Sequence, residues 1–140
     1  MVLDKPDLLE KWVNVYCSSF NIRFKQKIYI FRLLKHQFNF FKFILYKIYT
    51  YDKPFGDYAG CCLLFSYRDC IALYCLGTLQ KYRNRNIATK IIDFAINFAQ
   101  RKGYRIFGMQ TLQSDDLLPF YKKKEFDIIY RNAIYQMSSS

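Results

Sequence analysis

Apolar side chains recur at helical spacing through the first part of the chain and then switch to runs that suit strands, so two helices are predicted ahead of a sheet. Leu8, Leu9, Trp12, Val15 and Tyr16 follow the helical period, and Asp7 with Glu10 three residues later resembles a capping box, predicting a helix over residues 7–18. Phe24, Ile28, Phe31 and Leu34 predict a second helix over residues 24–37. Residues 41–50 turn β-branched and aromatic, residues 51–57 contain Pro54 and Gly56, and residues 58–66 are again strand-like, which reads as two antiparallel strands. Tyr67, Arg68 and Asp69 form a tight turn into a third strand over residues 70–79. That strand is apolar on both faces and therefore central, and Gly77 stands near its end, where a strand glycine marks a bulge or a close ligand approach.

After a basic loop over residues 80–86, Ile87, Ile91, Phe94 and Phe98 recur at i, i+4, i+7 and i+11, and Gly103 stands where a glycine ends a helix. Residues 104–112 read as a strand. Residues 115–124 read as a short helix with acids first and lysines last, and residues 126–136 as a final strand. The order ααβββαβαβ predicts an α/β (α+β) domain with a mixed sheet, because residues 70–112 form a βαβ crossover. The length of 140 residues suits one domain over residues 1–137, followed by a frayed tail at residues 138–140.

Composition narrows the chemistry. The chain is 52% hydrophobic and 24% charged, enough to pack a core. No uncharged run approaches the ~20 apolar residues of a spanning helix. Asp4, Lys5, Asp7, Glu10 and Lys11 interrupt the stretch where a signal peptide needs an apolar core, so a cytoplasmic location and no membrane partner are expected. Cys17, Cys61, Cys62, Cys70 and Cys75 include no C-x-x-C pair and read as reduced core thiols. Cys61 and Cys62, on one strand, face opposite sides. With His36 the only histidine, a Cys/His zinc site and a histidine-based triad lack their parts, and no metal is expected. The net charge of +11 favours anionic partners.

Charge also concentrates usefully. Lys81, Arg83, Arg85 and Lys90 lie on the turn between the central strand and the strongest helix, and residues 78–112 hold seven cations against Asp93 alone. The first amides of a helix lack intrahelical partners and carry the positive end of the macrodipole, so a phosphate there meets donors and field together.

The segment Arg83-Asn84-Arg85-Asn86-Ile87-Ala88 resembles the Q/R-x-x-G-x-G/A signature of the GNAT N-acetyltransferase superfamily, and Leu76-Gly77-Thr78-Leu79-Gln80-Lys81-Tyr82 is similar to the strand that leads into that loop. Downstream, Leu118-Pro119-Phe120-Tyr121-Lys122-Lys123-Lys124-Glu125-Phe126 resembles the family's F/L-Y-x-K-x-G-F segment. The resemblance implies a mixed, mostly antiparallel central sheet flanked by helices, and acetyl transfer from acetyl-CoA to an amine of a small molecule or protein within a ternary complex. It implies a pyrophosphate held by the amides of Arg83, Asn84, Arg85, Asn86, Ile87, Ala88 and Thr89. The pantetheine arm would pair with backbone at Leu76, Gly77, Thr78 and Leu79, where the family's two central strands splay apart. Ser114 stands in the place of a cofactor-contacting asparagine. Tyr121 would protonate the departing thiolate, and with a reference pKa near ~10 it holds its proton at neutral pH.

Three departures from the family pattern stand out. Asn86 replaces a glycine, Glu125 replaces another, and no clear first strand precedes the opening helix. Asparagine tolerates left-handed backbone better than most residues, so Asn86 is expected to weaken cofactor binding rather than abolish it. No acid lies on the third strand, Asp57 and Asp69 fall in predicted turns, and Asp115 and Asp116 head a helix, so no general base is legible. Cys75 lacks a histidine partner and reads as a core thiol. The acceptor pocket is expected from the two N-terminal helices with the loops at residues 51–57 and 67–69. The aromatics over residues 46–58 offer a dimer surface, leaving monomer and homodimer both open. Two other readings are a coenzyme A-binding module without chemistry and a basic surface for RNA or single-stranded DNA; the latter has no specific motif.

Overall fold

A computed structural model describes residues 1–109 of the chain. A single helical turn at Pro6–Leu8 leads into α1 (Leu9–Ser19) and α2 (Phe24–His36), followed by the strands β1 (Lys42–Thr50), β2 (Lys53–Tyr67) and β3 (Cys70–Thr78). A second such turn, Gln80–Tyr82, precedes α3 (Ile87–Arg101) and β4 (Ile106–Met109). The described strands lie in the order β1-β2-β3-β4, antiparallel at the first two junctions and parallel at the third. The mixed, mostly antiparallel sheet and its βαβ crossover are therefore present as the sequence predicts. Residues beyond 109, with the predicted helix at residues 115–124, the last strand and the single-domain limit at residue 137, lie outside the described residues.

Helices cover both faces of the sheet. Leu9, Trp12, Val13 and Cys17 of α1 pack with Phe43, Leu45, Cys61 and Leu63 in one buried cluster. Trp12 is fully buried, meets Phe43 edge-on at 5.0 Å between ring centroids, and donates its indole N–H to the Cys62 carbonyl at 3.0 Å. Strand alternation turns Ile44, Cys62 and Leu64 to the other face, which α3 covers with Ile87, Ile91 and Ile92. Cys61 and Cys62 thus face opposite sides, as their adjacency on a strand requires. All five cysteines are free.

Several local expectations are corrected. The predicted capping box at Asp7 and Glu10 is not made, because the chain enters α1 through the turn at Pro6 and the cap position falls on Leu8, whose side chain cannot accept. β2 begins at Lys53, so Pro54, Gly56 and Asp57 lie on a strand rather than in a loop. A register shift between Ile48 and Thr50 lengthens the hairpin, and Gly56 absorbs it at φ +91°, a backbone conformation that side chains disfavour. In place of a full first strand, Val2 makes a single bridge to Ile44, with the Leu3 amide donating to the Phe43 carbonyl at 2.9 Å.

The end of α3 follows the prediction closely. Gly103 takes φ +84°, its amide donates to the Gln100 carbonyl at 3.1 Å, and the Tyr104 amide donates to the Ala99 carbonyl at 3.0 Å. That pair of bonds is a Schellman closure.

Candidate functional site

The site begins where β3 stops being regular. Between Cys61 and Leu63 the β2–β3 register slips by one residue, and Cys75 stands at φ +58°, so β3 bulges at Cys75 and Leu76. Two residues later Gly77 is buried against the last turn of α1. A Cβ there would lie 2.9 Å from the Ser19 Cβ. Of the two expectations for Gly77, the bulge falls at Cys75 and Leu76 rather than at the glycine itself. The parallel pairing of β3 with β4 is described as far as Leu73 opposite Met109, so the expected splaying of the two strands lies outside the described residues.

Beyond Thr78 the chain is fastened at three points. The Leu79 amide donates to the Ala59 carbonyl at 2.9 Å and continues the sheet by one rung. Tyr82 is buried and donates its hydroxyl to Asp57 Oδ2, while Lys81 Nζ lies 3.1 Å from the same oxygen. Arg83 donates Nη2 to the Ser19 carbonyl at 2.7 Å and Nε to the Thr78 carbonyl at 3.3 Å, joining the end of α1 to the end of β3. The Tyr82 hydroxyl, followed by Lys81, holds the Asp57 carboxyl below the usual carboxylate range, and the bond to Asp57 raises the Tyr82 phenol.

Of the four loop cations, Lys81 is neutralised by Asp57 and Arg83 is spent on carbonyls, while Arg85 lies over the Tyr82 ring at 5.6 Å and Lys90 is exposed on the first turn of α3. Arg101, Lys102 and Arg105 stand at the far end of α3, roughly 20 Å away by helical rise. The loop backbone adds donors of its own to the loop cations. Asn84 at φ +66° and Asn86 at φ +60° are both left-handed, and Asn86 leads directly into the right-handed α3. Such an alternation turns consecutive N–H groups toward one side and forms an anion-binding concavity. The Asn86 side chain makes no capping bond, and the first described helical bond runs from the Lys90 amide to the Asn86 carbonyl at 3.1 Å. The amides of Ile87, Ala88 and Thr89 consequently have no intrahelical acceptor.

The structure places Leu76, Gly77 and Thr78 on the end of β3, Leu79 just beyond it, Arg83, Asn84, Arg85 and Asn86 on the loop, and Ile87, Ala88 and Thr89 in the first turn of α3. Ser114 and Tyr121 lie outside the described residues. Beside the loop, Ser18, Leu79, Gln80 and Lys81 line an open cleft of about 450 Å³. Burial pushes the Cys75 thiol up, which suits a packed thiol rather than a nucleophile. Sequence reasoning missed Asp57, Tyr82 and Ser19. Tyr82 carried a weak signal as an aromatic flanked by cations in a loop; Asp57 and Ser19 carried none, since their partners lie 25 and 64 residues away. Among the described residues no three His, Cys, Asp or Glu side chains converge as a metal group, and no helix is long and apolar enough to cross a membrane.

A bulged inner strand thus runs into a left-handed loop that opens a crossover helix. The sequence matches the Acetyltransferase (GNAT) family over residues 9–126, and the chain belongs to that family. No curated protein sequence matches it. Its fold is similar to that of an acetyltransferase from Trypanosoma brucei, with 14% identity, 98% and 97% of the two chains covered and a TM-score of 0.70. It is equally similar to a ribosomal-protein-alanine N-acetyltransferase from Brucella melitensis, with 13% identity, 98% coverage of each chain and a TM-score of 0.71. A third similar structure is AAC(6')-Iy in complex with a bisubstrate analogue containing CoA, with 13% identity, 99% and 97% coverage and a TM-score of 0.67.

Proposed function

We propose that this chain is an N-acetyltransferase that uses acetyl-CoA as co-substrate and an amine as acceptor. The observation that carries the reading is the paired left-handed backbone at Asn84 and Asn86, which builds the amide concavity that a pyrophosphate needs where the family resemblance places it. Arg85 and Lys90 add charge at its rim. The bulge at Cys75 takes Leu76 out of regular pairing, leaving its peptide suited to a pantetheine amide or thioester carbonyl.

In the proposed reaction the acceptor amine, in its neutral form, bonds to the thioester carbonyl carbon as the carbon–sulfur bond breaks. The amine gives up one proton to water, the departing sulfur takes one from Tyr121, and water returns a proton to the Tyr121 phenolate, so an amide and a free thiol result. Ser114 donates a hydrogen bond to the co-substrate. Calorimetric titration with CoA and acetyl-CoA, paired with detection of thiol release over an amine panel, tests this. Binding with turnover supports it, and Tyr121→Phe should lose rate while keeping affinity. No binding at millimolar CoA overturns it, and binding without any turnover identifies a CoA-binding module instead.

A further inference from the structure

The N-terminal part of the chain carries a charge pattern that the pyrophosphate cradle does not use. Between Glu10 and Asp52 the sequence holds eight cations and no acid. Five of the eight are Arg23, Lys25, Lys27, Arg32 and Lys35, on α2 or at its start. No residue of this 13-residue helix is fully buried. Lys27, Ile30, Phe31 and Leu34 form the half-buried stripe that faces the protein, while Lys25, Tyr29, Arg32 and His36, at i, i+4, i+7 and i+11, form an exposed ridge on the opposite side. Phe24, Ile28 and Leu33 flank that ridge, all exposed.

The helix also runs against its own electrostatics. Arg23, Lys25 and Lys27 crowd the positive end of the macrodipole, the first turn has no acid, and Arg23 at the cap position makes no capping bond. Violations of this kind gather at functional or strained sites. A second copy would bring eight more cations against these. A bilayer takes up a helix that turns its apolar stripe outward, whereas here the outermost ridge is cationic. An acidic polypeptide with interspersed apolar side chains matches both features, its carboxylates meeting the ridge and its apolar groups meeting the flanks.

The position of this surface gives it a use. Only residues 20–23 separate α1 from α2, Ser18 lines the cleft with Leu79, Gln80 and Lys81, and Arg83 ties Ser19 to the cradle. A chain lying along α2 therefore leads toward the cleft. We infer that the acceptor is a polypeptide whose acetylated amine lies beside a run of Asp and Glu, and that α2 is the docking surface for that run. The inference rests on the acetyl-transfer reading above.

The test uses the full chain, acetyl-CoA and short peptides carrying one free amine beside Asp/Glu, Asn/Gln or Lys runs. The acidic peptides should show a KM about tenfold lower than their neutral counterparts, and the double variant K25E/R32E should erase that difference with the KM for acetyl-CoA unchanged. Circular dichroism and the unchanged acetyl-CoA KM confirm that the variant is folded. Equal use of acidic and neutral peptides overturns the docking surface and leaves acetyl transfer standing. Should no peptide be acetylated, calorimetry with CoA judges the acetyl-transfer reading. Fluorescence anisotropy with a labelled acidic peptide then judges the docking surface: binding that K25E/R32E abolishes supports it, and no binding overturns it. Tighter binding of single-stranded RNA or of phosphatidylserine vesicles than of the acidic peptide also overturns it.

Discussion

Asn86 holds a left-handed backbone at φ +60° where the family pattern has glycine. Asn86→Gly should leave folding close to the parent and tighten acetyl-CoA binding modestly. Asn86→Val should cost about 1–2 kcal/mol in urea unfolding, because a β-branched residue pays the full left-handed strain. Tyr82 tests the fastening beneath the loop. Tyr82→Phe should raise the KM for acetyl-CoA by roughly tenfold with kcat little changed, short of the ~10²-fold that ångström-scale misplacement costs. The Asp57 carboxyl is lowered by Tyr82 and then Lys81, so its contribution is present above pH ~4 and lost as acid titrates the folded protein through a lower value. The Tyr82 phenol is raised by Asp57, so its contribution is present below pH ~10 and lost as alkali passes a higher value. A KM for acetyl-CoA that is flat from pH ~5 to ~9 in the parent checks both signs. The cations around Tyr82 were legible in the sequence. Which of them the protein neutralises was not, because Asp57 and Ser19 reach the loop only through tertiary contact.

At the scale of elements, two glycines set how closely helices approach the sheet. A Cβ on Gly60 would lie 2.6 Å from Ile91 Cδ1 and 2.9 Å from the Gly77 carbonyl oxygen, and the carbonyl cannot swing aside. Gly60→Ala should therefore lower stability by about 1–3 kcal/mol, read as a fall in Tm, by prising α3 from the strands. Elements with a long, clean period were legible: α3, with its apolar repeat and closing glycine, is placed to within a residue or two. α1 was legible in extent but not in its cap, because Pro6 rather than Asp7 governs the entry. β2 outran its prediction, since Pro54 and Gly56 are turn formers that a bulged hairpin edge accommodates. Gly77 also meets the end of α1, a contact that no local pattern encodes.

At the scale of the molecule, buried thiols make stability depend on pH. Burial raises the Cys61 and Cys62 thiols, so their contribution is complete below the unfolded value of ~8.5 and declines as pH rises beyond it, by about 1.4 kcal/mol per unit for each fully protected thiol. Urea midpoints that fall between pH 8.5 and 10 and flatten in a Cys61→Ala/Cys62→Ala variant would show it. The Arg83 guanidinium has a wider consequence, since one side chain grips the carboxyl end of α1 and the last carbonyl of β3 at once. Stiffening either side spends entropy that the other then need not spend, so two ligands on opposite sides of that grip should assist one another by the same factor in either order of addition. Severing it with Arg83→Ala should make the two binding events independent, turning a cooperative pair of titrations into additive ones.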